Sequence, residues 1–180
     1  MTKKRKTNSV TNLKSALIDL LLEMEYSKIT IGNITQRANV SRGTFYQHFL
    51  DKDDLAYSIG TETMQRFWEI LAQGNLDKED MLLKALLLIK NDYKHFKAIS
   101  KAPHVQFKDK VQQLICDLIN NNSAIKEKIK KKTKISDEIV IKAFSTSFET
   151  IISSWIDNDL SESPEKVVDN IIKIEQLFWK

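Results

Sequence analysis

The sequence predicts an all-α protein, and three observations carry that prediction. Its 180 residues include only four glycines and two prolines, leaving few of the residues that build strand-linking turns. Apolar residues recur three and four apart along most of the chain, which is the spacing of one helix face. No segment offers a convincing strand or an internal repeat. With 42% hydrophobic and 29% charged residues, the chain has enough apolar material for a packed core and does not read as disordered.

The elements follow in order. Residues 1–10 hold Lys3, Lys4, Arg5 and Lys6 and almost nothing apolar, so a flexible basic arm is expected. Leu13, Leu17, Leu20, Leu21 and Met24 form the stripe of a first helix ending near Glu25 and Tyr26. Thr30 can cap a second helix with Ile31, Ile34 and Ala38 on one face. Asn39-Val40-Ser41 is a break, and the Ser41 hydroxyl can cap a third helix of about seven residues. Phe45 and Phe49, four apart, turn inward there. Asp51 caps a fourth helix running to about Ala72, with Asp54 completing a variant capping box. Gly74-Asn75 stops it, and Asp77 opens the next helix. Pro103 breaks or starts a segment over Ala102–Asn120, ended by Asn120-Asn121-Asn122. The lysine-rich stretch Lys126–Lys134 reads as a solvated face or loop. Ser136 opens a long helix to about Asp157, and Ser163-Pro164-Glu165 opens the last. About nine helices are expected in total: a three-helix head over 11–58 and a larger helical body over 59–180.

Several function classes find little support. Cys116 is the only cysteine, which excludes an internal disulfide framework and makes a cysteine zinc site implausible. His95 and His104 have no metal-ligand spacing with other donors, so neither metal nor cofactor is expected. Glycine-rich phosphate loops and nucleophile or zinc motifs are missing, so an all-helical enzyme is the weak alternative. Neither a signal peptide nor a membrane-spanning run can be built, and a soluble cytoplasmic chain is expected.

Charge points to a partner. Residues 1–52 hold nine Lys/Arg against four acids, whereas the rest holds 19 against 20. The whole positive excess thus lies in the first third, which suits an anionic partner docking at one end; a solvated charged face is the plain alternative. Within that third, TIGNITQRANVSRGTFYQHFLDK over Thr30–Lys52 describes two short helices around a tight turn. This is a helix-turn-helix, whose second helix can enter a major groove. Ile31, Ile34, Ala38, Val40, Phe45 and Phe49 face inward, and Arg42, Gly43, Thr44, Gln47 and His48 face outward. Arg42 can hold a phosphate or reach guanine, Gln47 can bond adenine, and Thr44 can bond a phosphate or touch a thymine methyl. Gly43 lets backbone approach the sugar-phosphate chain. Tyr46 and His48 can bond phosphates, and Lys52 can neutralise one. A three-helix knot without a ligand is the competing interpretation.

The run ITIGNITQRANVSRGTFYQHF, followed by DKDDL, resembles the DNA-binding signature of TetR-family transcriptional regulators. The resemblance implies a three-helix head, a variable helical body, and dimerisation through the last two helices. It further implies phosphate contacts by Thr44, Tyr46, His48 and Lys52, and base or backbone contacts by Arg42, Gly43 and Gln47. Gly32 departs from the pattern, standing where family members often carry a longer, DNA-contacting side chain. FSTSFETIISSWIDND, followed by SPEKVV, resembles a body subtype common in regulators of low-GC Gram-positive bacteria.

The last two helices carry wide apolar stripes, and Phe148, Ile152, Trp155, Ile171 and Phe178 are the expected homodimer contacts. By analogy the body would hold a small-molecule effector, with Trp68, Tyr93, Phe96, Phe107 and Phe148 as candidate lining residues. The expected function is a dimeric repressor on a palindromic double-stranded operator, released by an effector. A co-activator working through a partner protein is the other alternative.

Overall fold

The computed structural model describes residues 2–71, 78–121, 127 and 135–179, without the side chains of residues 2–7, 178 and 179. The Gly74-Asn75 stop, the Asp77 cap, Asn122, nearly all of the lysine-rich stretch and the Phe178 and Lys3–Lys6 side chains lie outside the described residues. Among the described residues there are nine α-helices, two 3₁₀ turns and no strand. The helices are α1 Thr2–Glu23, α2 Ile31–Arg37, α3 Arg42–Tyr46, α4 Lys52–Leu71, α5 Lys78–Asn91, α6 Tyr93–Ser100, α7 Phe107–Asn120, α8 Asp137–Asp157 and α9 Pro164–Trp179. The 3₁₀ turns are Tyr26–Lys28 and Pro103–Val105.

Three of these differ from the sequence-based expectation. Helix α1 begins at Thr2 and runs through the segment expected to be a flexible arm. That segment contains no glycine or proline, and its lysines and arginine are good helix formers, so nothing in it breaks a helix that starts downstream. Helix α3 spans five residues, not about seven, with Gln47 as its C-cap. The helix expected after Asp77 is α5, and an additional helix, α6, follows it, parted from it at Asp92, whose φ of −121° and ψ of 38° leave the helical region.

Packing divides the chain into two compact units: Met1–Gln65 with Asp92–Phe107, and Arg66–Asn91 with Lys108–Lys180. In the first, α1 packs on α2 and α6, and α2 packs on α3. Leu13, Leu17, Ile34, Phe45, Leu55, Phe96 and Ile99 are fully enclosed there. Each such side chain contributes about 1.5–3 kcal/mol from burial. Residues 92–107 thus share the core of the first unit with residues 1–65, although the sequence places them well beyond it. In the second unit α9 packs against both α8 and α5, burying Leu86, Ile89, Phe144, Trp155, Ile156, Val167 and Ile171. The Lys78 ammonium pairs with Glu175 across α5 and α9.

Candidate nucleic-acid interface

Side-chain caps fix the helix-turn-helix locally. The Thr30 hydroxyl accepts from the Asn33 amide at 3.1 Å, and the Asn33 side chain accepts from the Thr30 amide at 2.9 Å. This reciprocal box starts α2. Asn39 then takes a left-handed conformation, φ 52°, which asparagine tolerates better than most residues. The chain turns there, and the Ser41 hydroxyl starts α3 by accepting from the Thr44 amide at 3.0 Å. Arg37 donates twice to Glu23, at 2.8 and 2.6 Å, tying α2 to α1. That hydrogen bond holds the Glu23 carboxyl below its ordinary range. Phe45 and Phe49 are both buried, with ring centroids 5.9 Å apart.

These anchors turn the opposite side of α3 outward. Arg42, Gly43, Tyr46 and Gln47 are exposed, and Thr44 and His48 are half-buried. Tyr46 leaves 58% of its surface in solvent, a large amount for an aromatic side chain with no evident need for it in the fold. Arg42 makes no hydrogen bond or ion pair with any described residue, so its five donors are uncommitted. Neither α2 nor α3 has an acidic residue in its first turn, so no carboxylate there opposes an incoming phosphate. A Cβ built on Gly43 would meet only the Ser41 hydroxyl, at 3.6 Å. The fold therefore has room for a side chain at 43. Leu50, in the α3–α4 turn, is 84% exposed and was not among the expected site residues. It directly follows the inward-facing Phe49 and precedes Asp51, so no helical period singles it out.

Lys52 has partners within the chain that the sequence did not predict. Its ammonium donates to the Tyr26 and Ile29 carbonyls, each at 2.8 Å, and lies 4.4 Å from the Tyr26 ring centroid. Two of its three N–H groups thus bind the loop between α1 and α2 to the start of α4. Tyr26 in turn donates its hydroxyl to Asp53, and burial with that carboxylate pushes the phenol far above its ordinary range. His104 Nε2 stands 3.6 Å from the other Asp53 oxygen, and its ring lies 5.5 Å from that of Tyr26. Asp51 caps α4 as expected, accepting from the Asp53 and Asp54 amides at 2.9 and 2.8 Å. Asp54 closes its half of the box on the Leu50 amide at 3.0 Å, one residue earlier than expected.

The body candidates divide between the two units. Phe96 and Phe107 meet edge-to-face at 5.9 Å in the first unit's core, with Tyr93 half-buried in that unit. Trp68, half-buried, and Phe148, buried, belong to the second unit. The expected dimer contacts Phe148, Trp155 and Ile171 are 9%, 4% and 1% exposed within the single chain. They face its own core, because α9 folds back between α8 and α5 and occupies their side of the stripe. Trp155 also donates its indole N–H to the Glu162 carbonyl at 2.9 Å. Ile152 is half-buried. Among the described residues, the exposed large apolar side chains of these helices are Ile139 and Leu177, at 61% and 79% exposure.

Comparison with known proteins agrees with this geometry. Residues 15–59 match the family described as bacterial regulatory proteins, tetR family. Residues 77–176 match the family described as a transcriptional regulator C-terminal region. Over 48 residues, 26% of this chain but only 13% of the relative's length, the chain is 40% identical to YxbF, an uncharacterized HTH-type transcriptional regulator of Bacillus subtilis. It is 21% identical over 174 residues to the fatty acid metabolism regulator protein of the same organism, covering 87% of this chain and 88% of that one. Among solved structures, a TetR transcriptional regulator from Streptococcus agalactiae superposes with a TM-score of 0.68 at 19% identity, over 95% of both chains. The fatty acid degradation regulator FadR from Bacillus halodurans gives 0.67 at 18%, over 94% of both. The dihydroxyacetone kinase operon activator DhaS gives 0.61 at 20%, over 95% of this chain and 96% of that one. A capped helix-turn-helix with an outward polar α3, followed by a body that the C-terminal match spans, identifies the chain as a member of the TetR family of transcriptional regulators.

Proposed function

We propose that this regulator is a homodimeric, sequence-specific repressor that binds a palindromic operator through α3 and is released by a small-molecule effector. The observation that carries the DNA-binding part is the uncommitted donor set of α3. Arg42, Tyr46 and Gln47 stand in solvent on a helix whose other side is locked by Phe45 and Phe49. Such side chains are suited to base edges and phosphates. Arg42 and Gln47 would read bases. Thr44, Tyr46 and His48 would hold phosphates, and Lys52 would add one donor from its remaining N–H.

Two copies are needed because one α3 reads only a half-site. The dimer reading rests on the outward residues Ile139 and Leu177, with half-buried Ile152, in place of the enclosed Trp155 and Ile171. Repression follows from a dimer occupying a promoter and blocking polymerase. An effector would act by binding the body with different affinity in DNA-competent and DNA-incompetent states. The names of two relatives, both regulators of fatty acid metabolism or degradation, favour a largely apolar effector. Activation is the second reading, supported by the likeness to an operon activator.

A gel-shift against the DNA upstream of the gene tests the proposal, with scrambled DNA as control. A discrete complex on the upstream DNA alone is expected. Equal retardation of both DNAs would contradict sequence-specific binding, and a one-chain complex would contradict the dimer.

A further inference from the structure

Gly32 sits in the first turn of α2 with an ordinary helical backbone; no glycine in the described chain has a positive φ. Conformation therefore does not call for glycine here, and glycine inside a helix costs stability relative to alanine. The space above it, however, is closely occupied. A Cβ built on Gly32 would lie 3.0 Å from the Arg42 terminal nitrogen and 3.5 Å from the Thr30 hydroxyl. The tip of Arg42, from the neighbouring helix, thus lies over bare backbone where other residues would place a side chain.

We infer that Gly32 is a positioning residue for Arg42: the missing side chain makes a slot that sets the direction in which the guanidinium leaves α3, and with it the base that Arg42 reads. The inference rests on the DNA-binding reading above. An arginine free to sample all its rotamers loses much of that freedom on docking. A guanidinium already resting on α2 loses less and arrives in one orientation, as bidentate pairing with a guanine edge requires. Arg42 has no acceptor among the described residues, so the shape of the surface beneath it is what directs it. The two positions act as one unit, and a side chain at 32 acts on specificity through Arg42.

The test is a double-mutant cycle read by selection from a pool of duplexes with a random central segment. The proteins are wild type, Gly32→Leu, Arg42→Ala and the double variant, with Gly32→Ala as the mild member. Arg42→Ala should flatten the base preference at one position per half-site. Gly32→Leu should flatten or change the preference at that same position, and Gly32→Ala should change it less, because the arginine tip need move only a few tenths of an ångström. The double variant should select the same sequences as Arg42→Ala alone. Melting temperatures of the Gly32 variants should equal or exceed that of wild type, which separates positioning from loss of fold. A wild-type preference retained by Gly32→Leu, a change at a different position, or a further change in the double variant would overturn the inference. If wild type itself enriches nothing, the DNA-binding reading fails, and the role of the pair falls with it.

Discussion

The helix-turn-helix and the last two helices use the same kind of apolar periodicity, but the periodicity decides different things in each. In α2 and α3, side-chain caps from Thr30 and Ser41 fix the register within one turn. Phe45 and Phe49 then have only one way to face, and the outward set follows. In α8 and α9 the stripes are long and broad. One side of each is consumed inside the chain, where Trp155 and Ile171 are enclosed, while Ile139 and Leu177 remain outside. Width announces extensive burial for such a helix without saying which residues meet which. Short capped helices specify orientation; long amphipathic helices specify only burial.

The largest expected effect sharpens that contrast. Ile171→Asp buries an unpaired charge in the second unit's core and should cost roughly 3–5 kcal/mol or more, seen as loss of the chemical unfolding transition. Leu177→Asp, on the outward side, should leave monomer stability within about 0.5 kcal/mol and shift the proposed dimer toward monomer in sedimentation. If Leu177→Asp unfolds the chain, the division of the stripe is wrong. Phe45→Ala comes next, at about 3–5 kcal/mol in the head, because a fully buried aromatic ring is removed beneath α3. Lys52→Ala should cost roughly 1–3 kcal/mol in a denaturant titration, since the Tyr26 and Ile29 carbonyls lose a charged donor. A purely phosphate-binding lysine would show no stability change at all.

Tyr26→Phe is the smallest of the set, about 1 kcal/mol at neutral pH from one lost hydrogen bond. Its pH signature is distinctive. The folded phenol titrates above its unfolded value, so its contribution is complete below pH about 10 and declines as pH rises beyond that. Thermal melts of wild type should therefore lose more stability between neutral and strongly alkaline pH than those of Tyr26→Phe. Equal losses would mean that the Tyr26–Asp53 bond is not made.

Much of this was legible in the residues. The all-helical class, the caps at Thr30, Ser41 and Asp51, and the inward pair Phe45 and Phe49 all follow from local chemistry that needs no tertiary information. What escaped is what depends on residues distant in sequence. Lys52 turns to carbonyls more than twenty residues earlier, which no local pattern encodes. The packing of residues 92–107 on α1 is equally non-local. Arg42 and Gly32 meet across the turn, although the sequence alone registers Gly32 only as a missing contact. The α1 start at Thr2 was hidden by reading charge as disorder, when lysine and arginine in fact favour helix.

The central claim is that the outward side chains of α3 read sequence while others supply charge. The direct test titrates Gln47→Ala and wild type against the selected operator and scrambled DNA at several salt concentrations. Gln47→Ala should lose roughly 1–3 kcal/mol on the operator only, if its contact is bidentate, and keep the wild-type salt slope, because a neutral base contact releases no counterion. An equal loss on both DNAs, or a slope lowered by about 1 as for a phosphate contact, would contradict the account.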